Sequence, residues 1–347
     1  MKNIYDLTLD ELASYFESIG DKKFRATQIF EWLYRMRVDS FDEMTNVSKK
    51  LIEHLKENFE FTKLELVTKQ VSTDGTTKYL FRLNDGKLIE TVLMRHNYGN
   101  SICVTTEVGC NMGCAFCASG ELGKVRALEL YEIVLQVLQV QKELDPYFER
   151  VTNIVVMGIG EPFDNYDNVI KFLRICNYAK GLEIGARHMT VSTCGLVPKI
   201  LEFAEFELQV NLAISLHAPN NELRSSLMKI NKRYPIEDIM DALKVYIAKT
   251  NRRVTFEYIL LQGVNDSIKD AKELAHLIKG MNAYVNLIPY NEVSTKPFKT
   301  TSKENAEKFY NVLQENHIQA TLRSEHGADI DAACGQLRAK KLGETLE

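Results

Sequence analysis

The sequence contains no apolar run close to the roughly 20 residues that a membrane-spanning helix needs. Its first ten residues are polar and acidic, unlike a secretory signal peptide. Its seven cysteines, an odd number, do not form the paired framework of a small secreted domain. A formal net charge of −4 provides no general attraction for nucleic acid. We therefore expect a cytoplasmic enzyme with no membrane partner, in which any contact with a polyanion depends on a local patch.

The patterns along the 347 residues predict three segments. Residues 1–60 carry apolar side chains at helical spacing, and Thr8 precedes the first helical run as an N-cap residue. Residues 61–95 alternate between polar and apolar and are interrupted by two Asp-Gly turns, which predicts β-hairpins. We expect a small helical accessory domain at 1–60, a β extension at 61–95 and a large α/β domain at 96–347.

The third segment repeats a strand, a loop and a helix, with the clearest helical stretches at 128–144, 236–248 and 268–277. Units of this kind join parallel strands through right-handed crossovers. The predicted fold is therefore α/β, a partial (β/α)6 barrel with a small N-terminal helical and β accessory domain. Its strands are expected near 101–106, 151–157, 188–193, 209–215, 253–260 and 283–288.

Three cysteines stand within eight residues, directly after the first predicted barrel strand. Cys110, Cys114 and Cys117 form a Cys-x3-Cys-x2-Cys loop. Iron–sulfur clusters normally take four cysteine ligands, so three close thiolates leave one iron open to another molecule. A structural zinc site is the alternative, but it needs a fourth Cys or His nearby, and the nearest candidate, His96, precedes the strand. The spacing favours one [4Fe-4S] cluster with an open iron.

Short polar motifs follow the other predicted strands, at the end of the barrel where ligands gather. Gly160 would let the backbone approach a ligand closely, and Glu161 offers an acceptor for an ammonium group. Each motif alone is typical of an ordinary turn, but four strand ends carry one. The motifs lie at 158–162, 192–193, 215–217 and 286–291.

The cysteine loop, with Phe116 before the last cysteine, resembles the signature of the radical S-adenosylmethionine (SAM) superfamily. Segments 211–220 and 329–337 are similar to those of the RlmN/Cfr family of RNA methyltransferases, and the similarity spans nearly the whole chain. The resemblance implies a [4Fe-4S] cluster whose open iron binds SAM and whose electron releases a 5′-deoxyadenosyl radical. It also implies methylation of C2 of an adenosine in 23S rRNA, at the peptidyl-transferase centre, and in some members in the tRNA anticodon loop.

The resemblance further implies a role for each matching residue. Cys334 would carry the methyl group, Cys103 would be its disulfide partner during turnover, and Glu90 would be a general base. Two SAM molecules would be used per turnover, one to methylate Cys334 and one to supply the radical. The cluster would be held by Cys110, Cys114 and Cys117, and SAM by Gly160, Glu161, Ser192, Ser215, Leu216, His217 and Asn291.

The partners implied are RNA and an electron donor such as flavodoxin or ferredoxin, and we expect a monomer. Basic residues interleaved with aromatics suit phosphates and splayed bases, although a solvated helix face explains the same residues equally well. The candidates for RNA contact are Lys22, Lys23, Arg25, Trp32, Tyr34, Arg35, Arg37, Arg338, Lys340 and Lys341.

Three alternatives stay open. The first is methylation of C8 of the same ribosomal adenosine, an antibiotic-resistance activity that shares the cysteines and the barrel. The second is a non-catalytic RNA-binding protein with a structural iron–sulfur cluster, which would have no use for Cys103, Cys334 and Glu90. The third is an activase acting on protein, for which the segment around Cys334 would have no use.

Overall fold

The computed structural model describes residues 1–121, 123–323, 327, 329–330, 336–338 and 341. The strands are β1 (Lys2–Asn3), β2 (Phe59–Glu60), β3 (Glu65–Val71), β4 (Thr77–Arg82), β5 (Leu88–His96), β6 (Gly99–Cys103), β7 (Glu107–Val108), β8 (Arg126–Ala127), β9 (Val151–Val156), β10 (Met189–Thr193), β11 (Asn211–Ser215), β12 (Val254–Leu260), β13 (Ala283–Pro289) and β14 (Ala320–Leu322). The helices are α1 (Leu9–Ser18), α2 (Phe24–Glu31), α3 (Lys49–Asn58), α4 (Leu130–Leu144), α5 (Tyr166–Asn177), α6 (Val197–Phe203), α7 (Asn221–Leu227), α8 (Ile236–Thr250), α9 (Ile268–Leu277) and α10 (Lys303–Glu315).

One ten-stranded sheet organises the chain, in the order β14-β13-β12-β11-β10-β9-β6-β5-β4-β3. Neighbours from β6 to β14 are parallel, whereas β6, β5, β4 and β3 run antiparallel to one another. Apolar side chains of the parallel strands, such as Ile154, Leu212 and Phe256, are fully buried in one core with those of the surrounding helices. The predicted partial barrel and its six strands are confirmed, and β14 is a seventh parallel strand that the sequence pattern did not indicate. The predicted β extension is continuous with the barrel sheet.

The N-terminal helices pack directly on the barrel. A reciprocal capping box between Thr8 and Glu11 begins α1, as predicted. Helix α2 continues into a π-helical turn, which ends where Arg37 adopts a left-handed φ of 55°. Arg37 makes two 2.8 Å hydrogen bonds to Asp145 beyond α4. None of the described helices combines the length and the apolar character needed to cross a bilayer.

A fully buried amide joins the accessory strands to the barrel. Gln136 on α4 accepts hydrogen bonds from the Thr91 hydroxyl and the Thr105 backbone N–H, both at 2.8 Å. Its amide nitrogen donates to the backbone oxygens of Thr105 and Glu132, at 2.9 and 3.1 Å. One side chain therefore holds β5, the segment after β6 and α4 in register.

We expect Gln136→Leu to lower the free energy of unfolding by about 2–3 kcal/mol, because it leaves buried donors and acceptors without partners. Urea unfolding followed by circular dichroism measures this. Gln209→Leu is the matched control, since Gln209 is an exposed acceptor for Arg187. Equal unfolding midpoints for the two variants would show that the buried amide contributes no stability.

A second buried side chain fixes two strand ends. Arg224 on α7 has no exposed surface, and its guanidinium donates to the backbone oxygens of Cys194 (2.6 Å), Ser215 (3.3 Å) and Leu216 (3.2 Å). A fourth bond, of 2.8 Å, reaches the side chain of Asn231. Burial lowers the pKa of Arg224 to about 10, so it still carries its charge at neutral pH. The ends of β10 and β11 are thereby tied to one cation.

We expect Arg224→Met to lower the free energy of unfolding by about 3 kcal/mol, because three backbone carbonyls lose their donor. The exposed Arg233, which lies over the ring of Tyr234, provides the matched control Arg233→Met. Urea denaturation of both variants tests the difference. A loss no larger than that of the control would contradict the role assigned to Arg224.

Candidate functional site

A cavity of about 400 Å³ opens at the C-terminal ends of the parallel strands. It extends from the accessory strand β5 across the mouth of the barrel to Arg323, just after β14. Ten of the thirteen residues that the sequence predicted for the site line this one cavity: Cys103, Cys110, Cys114, Cys117, Gly160, Glu161, Ser192, Ser215, His217 and Asn291.

The three clustered cysteines lie on the loop between β7 and β8. Burial raises the pKa of Cys110 to about 12, with Glu107 and Cys117 adding to the effect, and raises the pKa of Cys114 as well. The Tyr290 hydroxyl donates to the backbone oxygen of Phe116 at 3.1 Å and fixes the loop to the segment after β13. The loop packs against an apolar cluster of Ala118, Cys194, Leu227, Met228, Leu261, Tyr290 and Val293.

This donor set fits an iron–sulfur cluster in its chemistry. Three neighbouring thiols in an apolar shell become thiolates when a cationic iron centre binds them. In the part of the chain that the structure describes, no three Cys, His, Asp or Glu side chains are arranged to bind a single metal ion.

Glu161 is held by backbone donors beside the cysteine loop. Its carboxylate accepts from the N–H groups of Cys194 at 2.7 Å and Phe163 at 3.1 Å. Burial raises its pKa, and these hydrogen bonds oppose that rise. Gly160 adopts a φ of +111°, and a side chain there would place its Cβ 2.5 Å from Cγ of Glu107. Only glycine therefore allows this loop to lie so close to Glu107.

The ends of β10 and β11 contribute neutral hydrogen-bonding groups. The hydroxyls of Ser192 and Ser215 are 3.3 Å apart. Nδ1 of His217 accepts from the Ile259 N–H at 3.1 Å, so the proton of the neutral ring is on Nε2. Burial and the charge of Arg224 lower the pKa of His217 to about 3, which keeps the ring neutral. Leu216 is fully buried and does not line the cavity; its backbone bonds to Glu257 and Arg224.

The three residues predicted to process the methyl group have different placements. Cys103, at the end of β6, lines the cavity and is 8% exposed. Glu90 is not among the cavity-lining residues; it is buried on β5, where its carboxylate contacts Lys78 at 3.0 Å and accepts from the Arg338 N–H at 2.6 Å. Cys334 lies outside the described residues.

Two buried acids at the site were missed by the sequence reasoning. Glu107 accepts from the Glu161 N–H at 3.1 Å and lies 2.5 Å from Lys124; burial raises its pKa to about 7. Glu257 lines the cavity, and its Oε2 has no hydrogen-bond partner among the described residues. A single charged residue inside an apolar strand is the signal that could have indicated Glu257.

The expected RNA-contact residues are only partly accessible. Tyr34 is fully buried, so it cannot stack on a base in this conformation, and Arg37 is committed to Asp145. Arg25 lies over the ring of Phe24, which is 54% exposed. The exposed ring of Phe24 suits contact with a nucleobase better than the buried ring of Tyr34 does.

Comparisons with known proteins agree with this geometry. Residues 2–61 match the model of the "Ribosomal RNA large subunit methyltransferase N-terminal domain", and residues 104–278 match the "Radical SAM superfamily" model. A "Probable dual-specificity RNA methyltransferase RlmN" of Geobacillus kaustophilus is 59% identical over 99% of this chain and 94% of its own length. One of Acholeplasma laidlawii is 58% identical over 98% of this chain and 99% of its own.

The fold comparison gives the same result. The crystal structure of a radical SAM methyltransferase from Sphaerobacter thermophilus superimposes with a TM-score of 0.92, at 45% identity, over 97% of this chain and 99% of that one. Together with the sequence relatives, this shows that the chain belongs to the RlmN family of radical SAM RNA methyltransferases.

Proposed function

We propose that this protein methylates C2 of an adenosine in 23S rRNA and in the tRNA anticodon loop, through S-methylation of Cys334. The observation that carries the proposal is the single cavity lined by Cys110, Cys114, Cys117, Glu161 and Cys103. The names of the relatives, which describe dual-specificity RNA methyltransferases, support two classes of RNA substrate. We further propose that it acts in the cytoplasm as a monomer with a flavodoxin or ferredoxin as electron donor.

Adenine C2 requires this unusual route because it lies between two ring nitrogens. The carbon is electron-poor, so it does not attack the sulfonium methyl of SAM as a nucleophile. When bound by the three cysteines, a [4Fe-4S] cluster supplies the electron that converts SAM to a 5′-deoxyadenosyl radical. The apolar residues behind the cysteine loop exclude water from this chemistry.

The strand-end residues orient SAM. In the proposed site, the buried carboxylate of Glu161 accepts from the SAM ammonium group. Ser192, Ser215 and the Nε2–H of His217 offer further hydrogen bonds, and Asn291 closes the cavity after β13. Because His217 stays neutral, its Nε2–H is a donor throughout the physiological pH range.

Three side chains then process the methyl group. The Cys334 thiolate takes a methyl group from one SAM, which leaves as S-adenosylhomocysteine, and the 5′-deoxyadenosyl radical from a second SAM removes a hydrogen atom from that group. The carbon then adds to C2, and the covalent adduct returns one electron to the electron carrier and gives the C2 proton to Glu90. Cys103 attacks the Cys334 sulfur, so that a disulfide forms, the carbon–sulfur bond breaks and the released carbon takes up a proton to become the methyl group. Cys103 lies at the cavity wall, where this attack has to occur.

We expect the anaerobically reconstituted protein, given SAM and a reductant, to form 2-methyladenosine in both 23S rRNA and tRNA. Nuclease digestion and mass spectrometry against authentic 2-methyl- and 8-methyladenosine measure the product. Protein in which Cys117 is replaced by alanine is the control, since it should bind less iron and form no product. Detection of 8-methyladenosine alone would assign the C8 activity instead.

We expect Cys334→Ala to abolish methylation while RNA binding, measured by gel shift, is retained. The reason is that RNA binding does not require the methyl carrier, whereas transfer to C2 does. Cys176→Ala is the matched control, because Cys176 is buried in the main core on α5 and does not line the cavity. Undiminished methylation by the Cys334 variant would overturn the proposed route.

A further inference from the structure

A completely buried ion pair lies on the accessory strands beside the cavity. Nζ of Lys78, on β4, is 3.0 Å from Oε2 of Glu90, on β5, and the two side chains are 0% and 4% exposed. Lysine is almost never fully buried, because desolvating its ammonium group is costly even with a partner. Apolar residues of similar volume often stabilise a protein at least as much as a buried ion pair does. Stability alone therefore does not explain this pair, and we look for a functional reason.

The strand register places this pair on the cavity side of the sheet. Val92 on β5 is directly opposite Lys78 on one side and Cys103 on the other. Residues opposite each other across neighbouring strands share a face, and so do alternate residues of one strand such as Glu90 and Val92. Val92 and Cys103 line the cavity. Lys78 and Glu90 therefore lie on the face of the sheet that carries the proposed resolving cysteine, Glu90 on the strand next to that cysteine and Lys78 one strand further away.

The other groups around Glu90 fix its position. The Thr105 hydroxyl donates to the backbone oxygen of Glu90 at 2.6 Å, and the Arg338 N–H donates to Oε1 at 2.6 Å. The guanidinium of Arg338 adds a second positive charge that acts on Glu90 through space. Among the described residues, Lys78 is the cation within 4 Å of the carboxylate.

We propose that Lys78 is a positioning residue that pairs with the Glu90 carboxylate and orients it to accept the proton from C2 of the adenine. This inference rests on the function proposed above. In the transfer, the C2–H bond breaks, its proton passes to a carboxylate oxygen of Glu90, and its electron pair stays on the adenine. Lys78 keeps its own proton throughout and balances the carboxylate charge before the transfer.

Lys78→Met tests this role, since methionine occupies similar volume without the charge. A buried carboxylate that loses its cation is harder to ionise, so the proton-accepting form appears only at higher pH. We expect methylation at neutral pH to fall by about 10² to 10⁴-fold, the usual contribution of a general base. We also expect the pH of half-maximal rate to move upward, and the covalent Cys334–RNA adduct to accumulate because the C2 proton is not removed.

The readouts are single-turnover methylation between about pH 6 and pH 9 and a denaturing gel that resolves the adduct. Lys69→Met is the matched control, because Lys69 on β3 pairs with Glu143 in a half-exposed contact of 3.1 Å. It should keep the wild-type rate and pH profile. The double variant Lys78→Met with Glu90→Gln removes both charges; it should recover stability lost in Lys78→Met but still accumulate the adduct.

The outcomes separate this inference from the function on which it rests. If the wild-type protein forms no methyladenosine, or Glu90→Gln accumulates no adduct, the proposed function or base fails. If both behave as expected but Lys78→Met loses rate equally at every pH and accumulates no adduct, Lys78 has only a structural role. A wild-type rate in Lys78→Met overturns the inference as well.

Discussion

The buried guanidinium of Arg224 is the constraint on which the geometry of the cavity depends. It binds the carbonyl of Cys194, whose N–H in turn holds Glu161, and the carbonyls of Ser215 and Leu216 just before His217. Two strand ends and the loop after β9 are thus connected through one side chain. Groups that must meet a small ligand at fixed distances need such a rigid support. An arginine suits this position because its planar fork serves several acceptors at once.

The site concentrates buried acids, which must be compensated because charge is costly to bury. Glu161 is compensated by backbone N–H groups, Glu107 by the ammonium of Lys124, and Glu90 by Lys78. Backbone donors hold a carboxylate rigidly and cannot titrate, which suits a ligand contact. A lysine partner instead supplies a full charge. The form of compensation therefore differs between the residue proposed to bind SAM and the residue proposed to move a proton.

Local features of the sequence were predictable and long-range pairings were not. The cysteine loop and the strands after it could be recognised because their signals lie within a few residues. The three-residue strand β14 is too short to show an alternation of polar and apolar residues. Its position in the sheet depends on its pairing with β13. Arg224 occupies a polar stretch, Asn221–Leu227, that predicts a solvated helix, and only the fold brings three carbonyls to it. The sequence pattern placed Tyr34 among the candidates for RNA contact, but the side chain is fully buried, and the centroid of its ring lies 4.2 Å from that of Phe30.

The continuity of the sheet has a consequence for dividing this chain. β5 forms the hydrogen-bonded neighbour of β6 along its whole length, from Gly99 to Cys103. A fragment that began at the barrel would leave β6 as an open edge, and unpaired strand edges recruit other chains. It would also uncover the apolar side chains of Ile102 and Leu93, which face each other across that pair. The accessory strands β3 to β5 thus cover one edge of the barrel sheet. A barrel fragment without them would be prone to aggregate.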